Sequence, residues 1–390
     1  MSSTSFEFSN PRVERIVSGE GSLAKLAHEV DRVGGTRALL VISPSVARTS
    51  LLEKITKGLQ EKCVAVFDKV MPHSPTESIG QAVELARSSK IDVLISAGGG
   101  SAIDTGKGVA ALLAEGGSLP RFAVRFTPPN RKEVPEMTAP KIPHIAIPTT
   151  LSGGEYSYSV GITEGGIKHI VADPKLTPRT VLLDPEAAAT APAKLLAASG
   201  MNSLAHCVEG IYSTQTQPMT EAYCLSAVSL LVRFLPRAVT QRGNLEALGQ
   251  VQIGACLSGM GVYSAWTGIH HAIVHVVGGR YRVPHAQIHA LVLPYAMRWN
   301  LDVTVEQHAR MARAAGIDAV SEEEAARSMP QKVFEMNQQM GLPLKLRELG
   351  IPRDGLEQLS LDALNDYSIH TNPRPVRSPD QVLEVLEMAW

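Results

Sequence analysis

Residues 93–107 read VLISAGGGSAIDTGK, an apolar run followed by three glycines and a stretch with helical spacing. The apolar run is typical of a buried strand. Glycine lets the backbone approach a ligand closely, and a helix that begins just behind the glycines presents N–H groups and a partial positive charge to an anion. We therefore expect a strand–turn–helix unit that binds the pyrophosphate of a dinucleotide. Because the stretch matches neither GxGxxG nor the Walker A loop, a tight turn without a ligand is the alternative.

The rest of the first half alternates in the same way between β-rich runs and amphipathic stretches. Ser74-Pro75-Thr76-Glu77 opens a predicted helix, with Ser74 as its cap, that runs to about residue 89. The predicted strands lie within 38–43, 64–67, 93–101, 144–150, 157–164, 167–173 and 179–185. Alternation of this kind indicates an α/β domain built on a parallel sheet.

A second polar turn, PTTLSGGE at 148–155, directly follows another predicted strand. An α/β sheet binds its ligand where such turns meet at the carboxyl ends of the strands. Since the strand at 38–43 ends in a serine rather than a carboxylate, we expect NADP to be accepted alongside NAD. The predicted cofactor-binding residues are Ser43, Gly98, Gly99, Gly100, Ser101, Asp104, Thr149, Thr150, Ser152 and Lys168.

The character of the sequence changes near Pro185, after which nearly every segment has helical periodicity. We predict an α/β dinucleotide-binding domain over residues 1–187 and an all-helical catalytic domain over residues 188–390. The segment 116–143, rich in proline and basic residues, is interpreted as a surface excursion.

Composition excludes several classes of protein. The 390 residues carry a net charge of −1 with no long basic run, which argues against nucleic acid or an anionic membrane as a partner. The four cysteines form no CxxC pair and fit a reducing compartment. The sequence begins without a signal-peptide pattern, and we find no run of about 18 apolar residues. We expect a cytoplasmic enzyme.

Histidines are concentrated in the second half. Five of the twelve fall within twenty residues, at 270, 271, 275, 285 and 289. Asn202 and His206 share one helix face, and His271 and His275 share another. A new helix is predicted to begin at Pro284. A lone histidine is usually a core residue, but imidazoles clustered at this spacing can ligate a divalent metal or move protons near neutral pH.

GGGSAIDTGK (98–107), the pair Asn202/His206 and HHAIVHVVGGRYRVPH (270–285) together resemble the iron-containing alcohol dehydrogenase superfamily. The resemblance implies a dehydroquinate synthase-like fold, an α/β nucleotide domain followed by an all-α domain, with the active site in the cleft between. It also implies that His206, His271 and His285 are the ligands if a metal binds, beside an aspartate whose position is occupied by Asn202.

A neutral amide at position 202 is a weak ligand for iron or zinc. The maleylacetate reductase branch resembles this chain here, since its members carry asparagine and work without metal. PTTLSGGE (148–155) and residues 163–185 are similar to that branch, whereas Asp104 and the long 116–143 segment resemble the general alcohol dehydrogenases. We expect NAD or NADP as cofactor and no metal.

These resemblances imply an NAD(P)H-dependent reductase of a small oxo-acid, converting maleylacetate to 3-oxoadipate, that acts as a homodimer. The predicted catalytic residues are Asn202, His206, His271, His275 and His285, with His271 or His275 as the proton donor. Arg280, Arg282 and Arg374 are candidates for binding substrate carboxylates. The alternatives are a metal-dependent alcohol or hydroxy-acid dehydrogenase and a dehydroquinate-synthase-like lyase.

Overall fold

The first half of the chain is built around a parallel sheet, as the alternating sequence predicts. A computed structural model describes residues 5–8, 13–127 and 131–390. Its strands are β1 (Arg15–Ser18), β2 (Ala38–Ile42), β3 (Cys63–Phe67), β4 (Val93–Gly98), β5 (Arg125–Thr127), β6 (Arg131–Glu133), β7 (His144–Pro148), β8 (Ser159–Glu164), β9 (Ile167–Ala172) and β10 (Thr180–Leu183). Six of them pair in parallel in the order β1-β10-β7-β4-β2-β3. The α/β class is confirmed.

Helices dominate the second half. The helices of both halves are α1 (Leu26–Arg32), α2 (Pro44–Ala47), α3 (Ser50–Leu59), α4 (Thr76–Ser88), α5 (Gly100–Glu115), α6 (Pro185–Ala189), α7 (Ala193–Tyr212), α8 (Pro218–Thr240), α9 (Leu245–Val262), α10 (Ile269–Tyr281), α11 (His285–Asn300), α12 (Val305–Ala314), α13 (Glu322–Gln339), α14 (Leu356–Ala363) and α15 (Pro379–Ala389). All strands in the described residues lie before residue 184, so the helical character of the second region is confirmed.

Both faces of the sheet are covered, which explains why its central strands are continuous apolar runs. In β2, Leu39 and Val41 join a buried cluster with residues of α4 and α5. Leu40 and Ile42 point the other way and join residues of α1 and α3. The period of two along the strand assigns alternate residues to the two cores.

The structure differs in detail from the elements read from the sequence. The strands β8 and β9 form an antiparallel hairpin of their own and do not join the sheet. The strand β1, which we did not predict, occupies an edge of the sheet. Helix α4 begins at Thr76 with Pro75 as its cap, because the Ser74 hydroxyl instead donates to the Ser101 carbonyl oxygen.

Helix α8 is long and apolar enough to cross a membrane, although we found no such run in the sequence. Half of that apolar stretch is buried within the protein, where α8 packs against α7 and α9. This burial is typical of a core helix.

The described residues fall into two compact units. One comprises residues 13–127 and 131–192, and the other comprises residues 193–390 together with 5–8. In the second unit Phe8 stacks on Tyr223, with ring centroids 6.0 Å apart. Each unit carries one of the two sites predicted from the sequence.

Candidate functional site

The glycine turn of the first unit joins β4 to α5. Gly98 has φ of +149°, and a Cβ there would lie 2.8 Å from Ser43 Oγ and 2.9 Å from Ala102 Cβ. A Cβ at Gly99 would meet Thr150 Cγ2 at 3.1 Å. Gly99, the N-cap of α5, makes no side-chain cap hydrogen bond, and N–H groups at the start of a helix can bind an anion. The turn therefore packs closely against Ser43, Ala102 and Thr150, which explains why glycine is needed at these two positions.

The second polar turn lies directly beside the first. The Thr149 N–H donates to the Gly98 carbonyl oxygen over 2.9 Å, and Ser152 Oγ lies 3.8 Å from the position of a Cβ on Gly100. The structure thus brings together the predicted cofactor residues of the two turns and the end of β2.

Asp104 and Lys168 lie at the β8–β9 hairpin. The half-buried Asp104 carboxylate accepts a hydrogen bond from the Gly161 N–H over 3.2 Å, and desolvation raises its pKa against the opposing charge of Lys107. The exposed Lys168 also contacts this hairpin position, its Cε lying 3.5 Å from the place of a Cβ on Gly161. Asp104 therefore holds the hairpin against α5.

Lys107 is a residue of this region that we did not single out. It is fully buried on α5, and its Nζ donates to the carbonyl oxygens of Gly154, Ser157 and Ser159 at 2.7, 2.7 and 3.0 Å. Burial lowers the pKa of Lys107 to about 8. Its three acceptors lie in and just after the second turn, so Lys107 ties that turn to the helix behind the glycines. The sequence signal for Lys107 was a lysine about two turns into the helix that begins at the glycines.

Ser101 is held by another segment that the sequence did not reveal. Its Oγ accepts from the His73 N–H over 3.3 Å, and its carbonyl oxygen accepts from Ser74 Oγ. His73 and Ser74 both have positive φ, at 62° and 46°. Consecutive residues in this conformation are strained, and the strain lies at the edge of the candidate nucleotide site.

We expect Gly98→Ala to raise the dissociation constant for NAD(P)H by about tenfold or more. The added methyl group must displace Ser43 or α5, and alanine disfavours the backbone conformation at this position. Quenching of protein fluorescence on cofactor titration measures the effect. Gly80→Ala, in open space on α4, is the matched control and should bind normally. Equal affinities for the two variants would contradict the nucleotide site.

The second unit brings six imidazoles together from three helices. His206 lies on α7, His285 and His289 begin α11, and His270, His271 and His275 lie on α10. Ring centroids are 5.0 Å apart for His206 and His271, and 4.7 Å apart for His271 and His289. The rings of His275 and His285 stack at 5.7 Å. Helix α10 continues past the predicted end at Gly278 to Tyr281, and His285 lies in the first turn of α11 as predicted.

Four buried atoms of this cluster have no hydrogen-bond partner within the described part of the chain. They are Asn202 Oδ1, His206 Nδ1, His271 Nε2 and His289 Nδ1. Unpaired buried polar atoms are costly and rare, so their concentration in one place indicates a site for a polar ligand. Burial lowers the pKa of His206 to about 3 and also lowers the pKa of His271 and of His289.

Two carboxylates beneath the imidazoles were missed by the sequence reasoning. Asp366 Oδ2 lies 2.8 Å from His275 Nδ1. Glu209 is fully buried, and its Oε2 contacts Nδ1 of both His271 and His270. Burial by itself would raise the pKa of Glu209, but the charge of His271 and the hydrogen bonds from both imidazoles outweigh it and hold this pKa below its ordinary value. The signal for Glu209 was its position one turn after His206.

Two of the three candidate arginines are already paired within the helical unit. Arg280 lies 2.9 Å from Asp362, and Arg374 lies 3.1 Å from Asp302 while covering the Trp299 ring. Arg282 is exposed and ends α10 in a left-handed conformation. Arg282 is therefore the candidate with its guanidinium most available to a substrate carboxylate.

The cluster offers a neutral set of atoms to a metal. Asn202, His206 and His271 each have a buried nitrogen or oxygen without a hydrogen-bond partner among the described residues. Ligand atoms of His270, His271 and His289 lie within 4.8 Å of one another. Of the two carboxylates beside the imidazoles, Glu209 is engaged by backbone N–H groups and imidazoles, and Asp366 is engaged by His275. An anionic ligand is thus missing at position 202, and the set does not match the carboxylate-containing site of a dication.

The chain matches known families over almost its whole length. Residues 13–185 match the model of the iron-containing alcohol dehydrogenases, and residues 196–390 match the model of the C-terminal region of the Fe-containing alcohol dehydrogenase family. Both regions that carry the candidate residues fall within these matches.

Relatives and solved structures agree with these matches. The chain is 29% identical over 379 residues to a maleylacetate reductase of Burkholderia cepacia, covering 97% of this chain and 96% of that protein. It is 27% identical over 380 residues to an NAD-dependent methanol dehydrogenase of Bacillus methanolicus, covering 96% and 97%. The structure of a 1,3-propanediol oxidoreductase superposes with a TM-score of 0.91 at 27% identity, covering 99% of this chain and 100% of that one.

Proposed function

Because this chain belongs to the iron-containing alcohol dehydrogenase family, we propose that it is an NAD(P)H-dependent reductase of a small oxo-acid, with maleylacetate as the first candidate substrate and 3-oxoadipate as the product. The observation that supports this proposal is Asn202. Its neutral amide occupies the position where the resemblance places an aspartate ligand, one turn before His206 on α7. The similarity to a maleylacetate reductase supports it. The reaction would belong to the breakdown of aromatic compounds.

The residues of this chain account for the steps around hydride transfer. NAD(P)H, when bound, supplies the hydride. The glycine turn and the second polar turn bind its phosphates, and Asn202 with the imidazoles orients the substrate oxygen. This oxygen gains negative charge during reduction, either as an enolate or as an alkoxide, and requires a hydrogen-bond donor. A protonated His271 or His275, each beside a carboxylate, supplies that donor. Burial lowers the pKa of His271, and the charge and hydrogen bond of Glu209 oppose this effect.

We propose that His285 is not the proton donor. It lies in the first turn of α11, where the positive end of the helix dipole favours a neutral imidazole. We propose that His206 and His285 line the substrate oxygen and that the proton comes from α10.

A metal-dependent alcohol dehydrogenase is the second candidate. It is favoured by the similarity to an NAD-dependent methanol dehydrogenase and to a 1,3-propanediol oxidoreductase. In that case His206, His271 and His285 would hold the ion, which would polarise the substrate oxygen. A dehydroquinate-synthase-like lyase has no such support, since the family matches indicate an oxidoreductase.

An absorbance assay at the NADH band tests the proposal. The purified protein is given maleylacetate and a panel of ketones, aldehydes and alcohols, with NADH and with NADPH, before and after dialysis against EDTA. We expect oxidation of the cofactor with maleylacetate or a related oxo-acid and no effect of EDTA. Turnover confined to simple alcohols and aldehydes, and abolished by EDTA, would favour the second candidate.

The partners follow from the same proposal. We propose a cytoplasmic homodimer that binds a small carbonyl substrate and neither nucleic acid nor membrane. Sedimentation of the purified protein measures the subunit number.

A further inference from the structure

We propose that Glu209 is the residue that orients the His271 ring, with Nδ1 toward its carboxylate and Nε2 toward the substrate oxygen, an inference that rests on the proposed function. Glu209 lies on α7, one turn beyond His206 and two turns beyond Asn202. These three side chains therefore share a helix face. Glu209 is fully buried at the base of the cluster.

The Glu209 carboxylate is fixed from the backbone. Its Oε1 accepts from the Gly268 N–H at 2.8 Å and from the His270 N–H at 3.1 Å, at the start of α10. The positive end of the α10 dipole favours an anion here. A Cβ at Gly268 would lie 3.1 Å from this oxygen and 2.6 Å from Asn372 Oδ1. With Oε1 held in this way, the second oxygen, Oε2, faces the imidazoles of His270 and His271.

That second oxygen determines how the His271 ring is oriented. Glu209 Oε2 contacts His271 Nδ1, and an ionised carboxylate only accepts, so Nδ1 must carry the hydrogen. The opposite edge of the ring then presents Nε2, which is buried and without a partner among the described residues, as are Asn202 Oδ1 and His206 Nδ1. Glu209 thus leaves Nε2 as the His271 nitrogen that is available to a ligand. When the imidazole is protonated, both nitrogens carry hydrogen, and the Nε2 hydrogen is the one that the substrate oxygen can receive.

His270 shows why the neighbouring imidazole does not play this part. Its Nδ1 lies 3.3 Å from the same Glu209 oxygen, while its Nε2 lies 3.0 Å from the carbonyl oxygen of His289. Both ring nitrogens of His270 are therefore engaged within the protein. Glu209 contacts two adjacent imidazoles but leaves only His271 with a nitrogen for a ligand.

A carboxylate that merely caps α10 is the competing explanation, and a double-mutant cycle separates the two. Glu209→Gln keeps an oxygen for the two backbone donors but loses the anionic acceptor at His271. We expect it to lower kcat by about 100-fold in the wild-type background and by less than about twofold in the His271→Gln background. Glu29→Gln, at another fully buried glutamate in the first unit, is the matched control and should keep kcat unchanged.

A spectroscopic measurement tests the orientation without turnover. In protein labelled with ¹⁵N-histidine, two-bond ¹H–¹⁵N correlations report which ring nitrogen carries the hydrogen, and the signals missing from His271→Gln assign that residue. We expect the His271 hydrogen on Nδ1, with a strongly downfield shift that disappears in Glu209→Gln. Thermal unfolding of each variant shows whether the fold is retained.

The outcomes separate this inference from the proposed function. A His271 Nδ1 that carries no hydrogen in the wild type, or a Glu209→Gln loss that is equally large without His271, overturns the positioning role even if the enzyme reduces oxo-acids. A wild type that oxidises no NAD(P)H with any carbonyl compound overturns the proposed function, and the correlation spectrum still decides the orientation of His271. Loss of turnover through His271 together with the Nδ1 signal supports both.

Discussion

Replacing His271 with glutamine is expected to lower kcat for oxo-acid reduction by about 1,000-fold, within the range that a general acid contributes. Glutamine has a length similar to that of histidine, but the variant loses His271 Nε2, the nitrogen without a partner among the described residues. Since the nucleotide site lies on residues of the other unit, NAD(P)H affinity should stay within about twofold. Steady-state kinetics with saturating cofactor, together with cofactor titration, measure the two effects separately.

A buried histidine outside the cluster provides the control for this variant. His308 on α12 is fully buried, and its Nδ1 lies 3.0 Å from the Thr304 carbonyl oxygen. His308→Gln should keep kcat within about threefold, since it removes only a local packing contact. A His271→Gln enzyme with full kcat would exclude His271 as the proton donor and leave His275, with its partner Asp366.

Converting Asn202 to aspartate is expected to create a metal site. The substitution places an anionic oxygen where the unpaired amide oxygen of Asn202 now lies, one turn before His206 on α7. Carboxylate and imidazole together suit iron and zinc. We expect Asn202→Asp to bind Zn²⁺ at least about tenfold more tightly than the wild type, as measured by titration against a competing chelator and by elemental analysis.

Asn202→Ala is the matched variant, because it removes the amide without adding charge and should gain no affinity for Zn²⁺. In the proposed metal-free reaction, wild-type turnover is insensitive to EDTA. A wild type that retains stoichiometric iron or zinc and loses turnover on its removal would contradict this reaction and favour the dehydrogenase alternative.

Local features were predictable from the sequence because they depend on neighbours along the chain. The glycine turn after β4 is set by three adjacent glycines between an apolar run and a helical stretch, and the structure has Gly98 in the conformation that excludes other residues. The four-residue spacing of Asn202 and His206 on α7, and of His271 and His275 on α10, places each pair on one helix face. These patterns indicated two sites of different chemistry in two regions of the chain.

Arrangements between distant segments were not predictable in this way. The β8–β9 hairpin has the strand pattern of the sheet but forms a separate two-stranded sheet. Arg280 and Arg374 were candidates for substrate carboxylates until the fold placed Asp362 and Asp302 beside them. A charged residue in a sequence has many potential partners, and packing selects one of them.

The sequence by itself determined the order of strands and helices, the glycine-lined turn and the imidazole-rich helices, since periodicity and turn chemistry act over a few residues. Only the tertiary structure decided which ring nitrogens of those imidazoles have a hydrogen-bond partner within the protein. Glu209 and His271 are 62 residues apart, and their contact exists because α7 and α10 pack with a buried carboxylate between them. Burial removes competing water, so one distant acceptor fixes the orientation of a ring that the sequence alone leaves free.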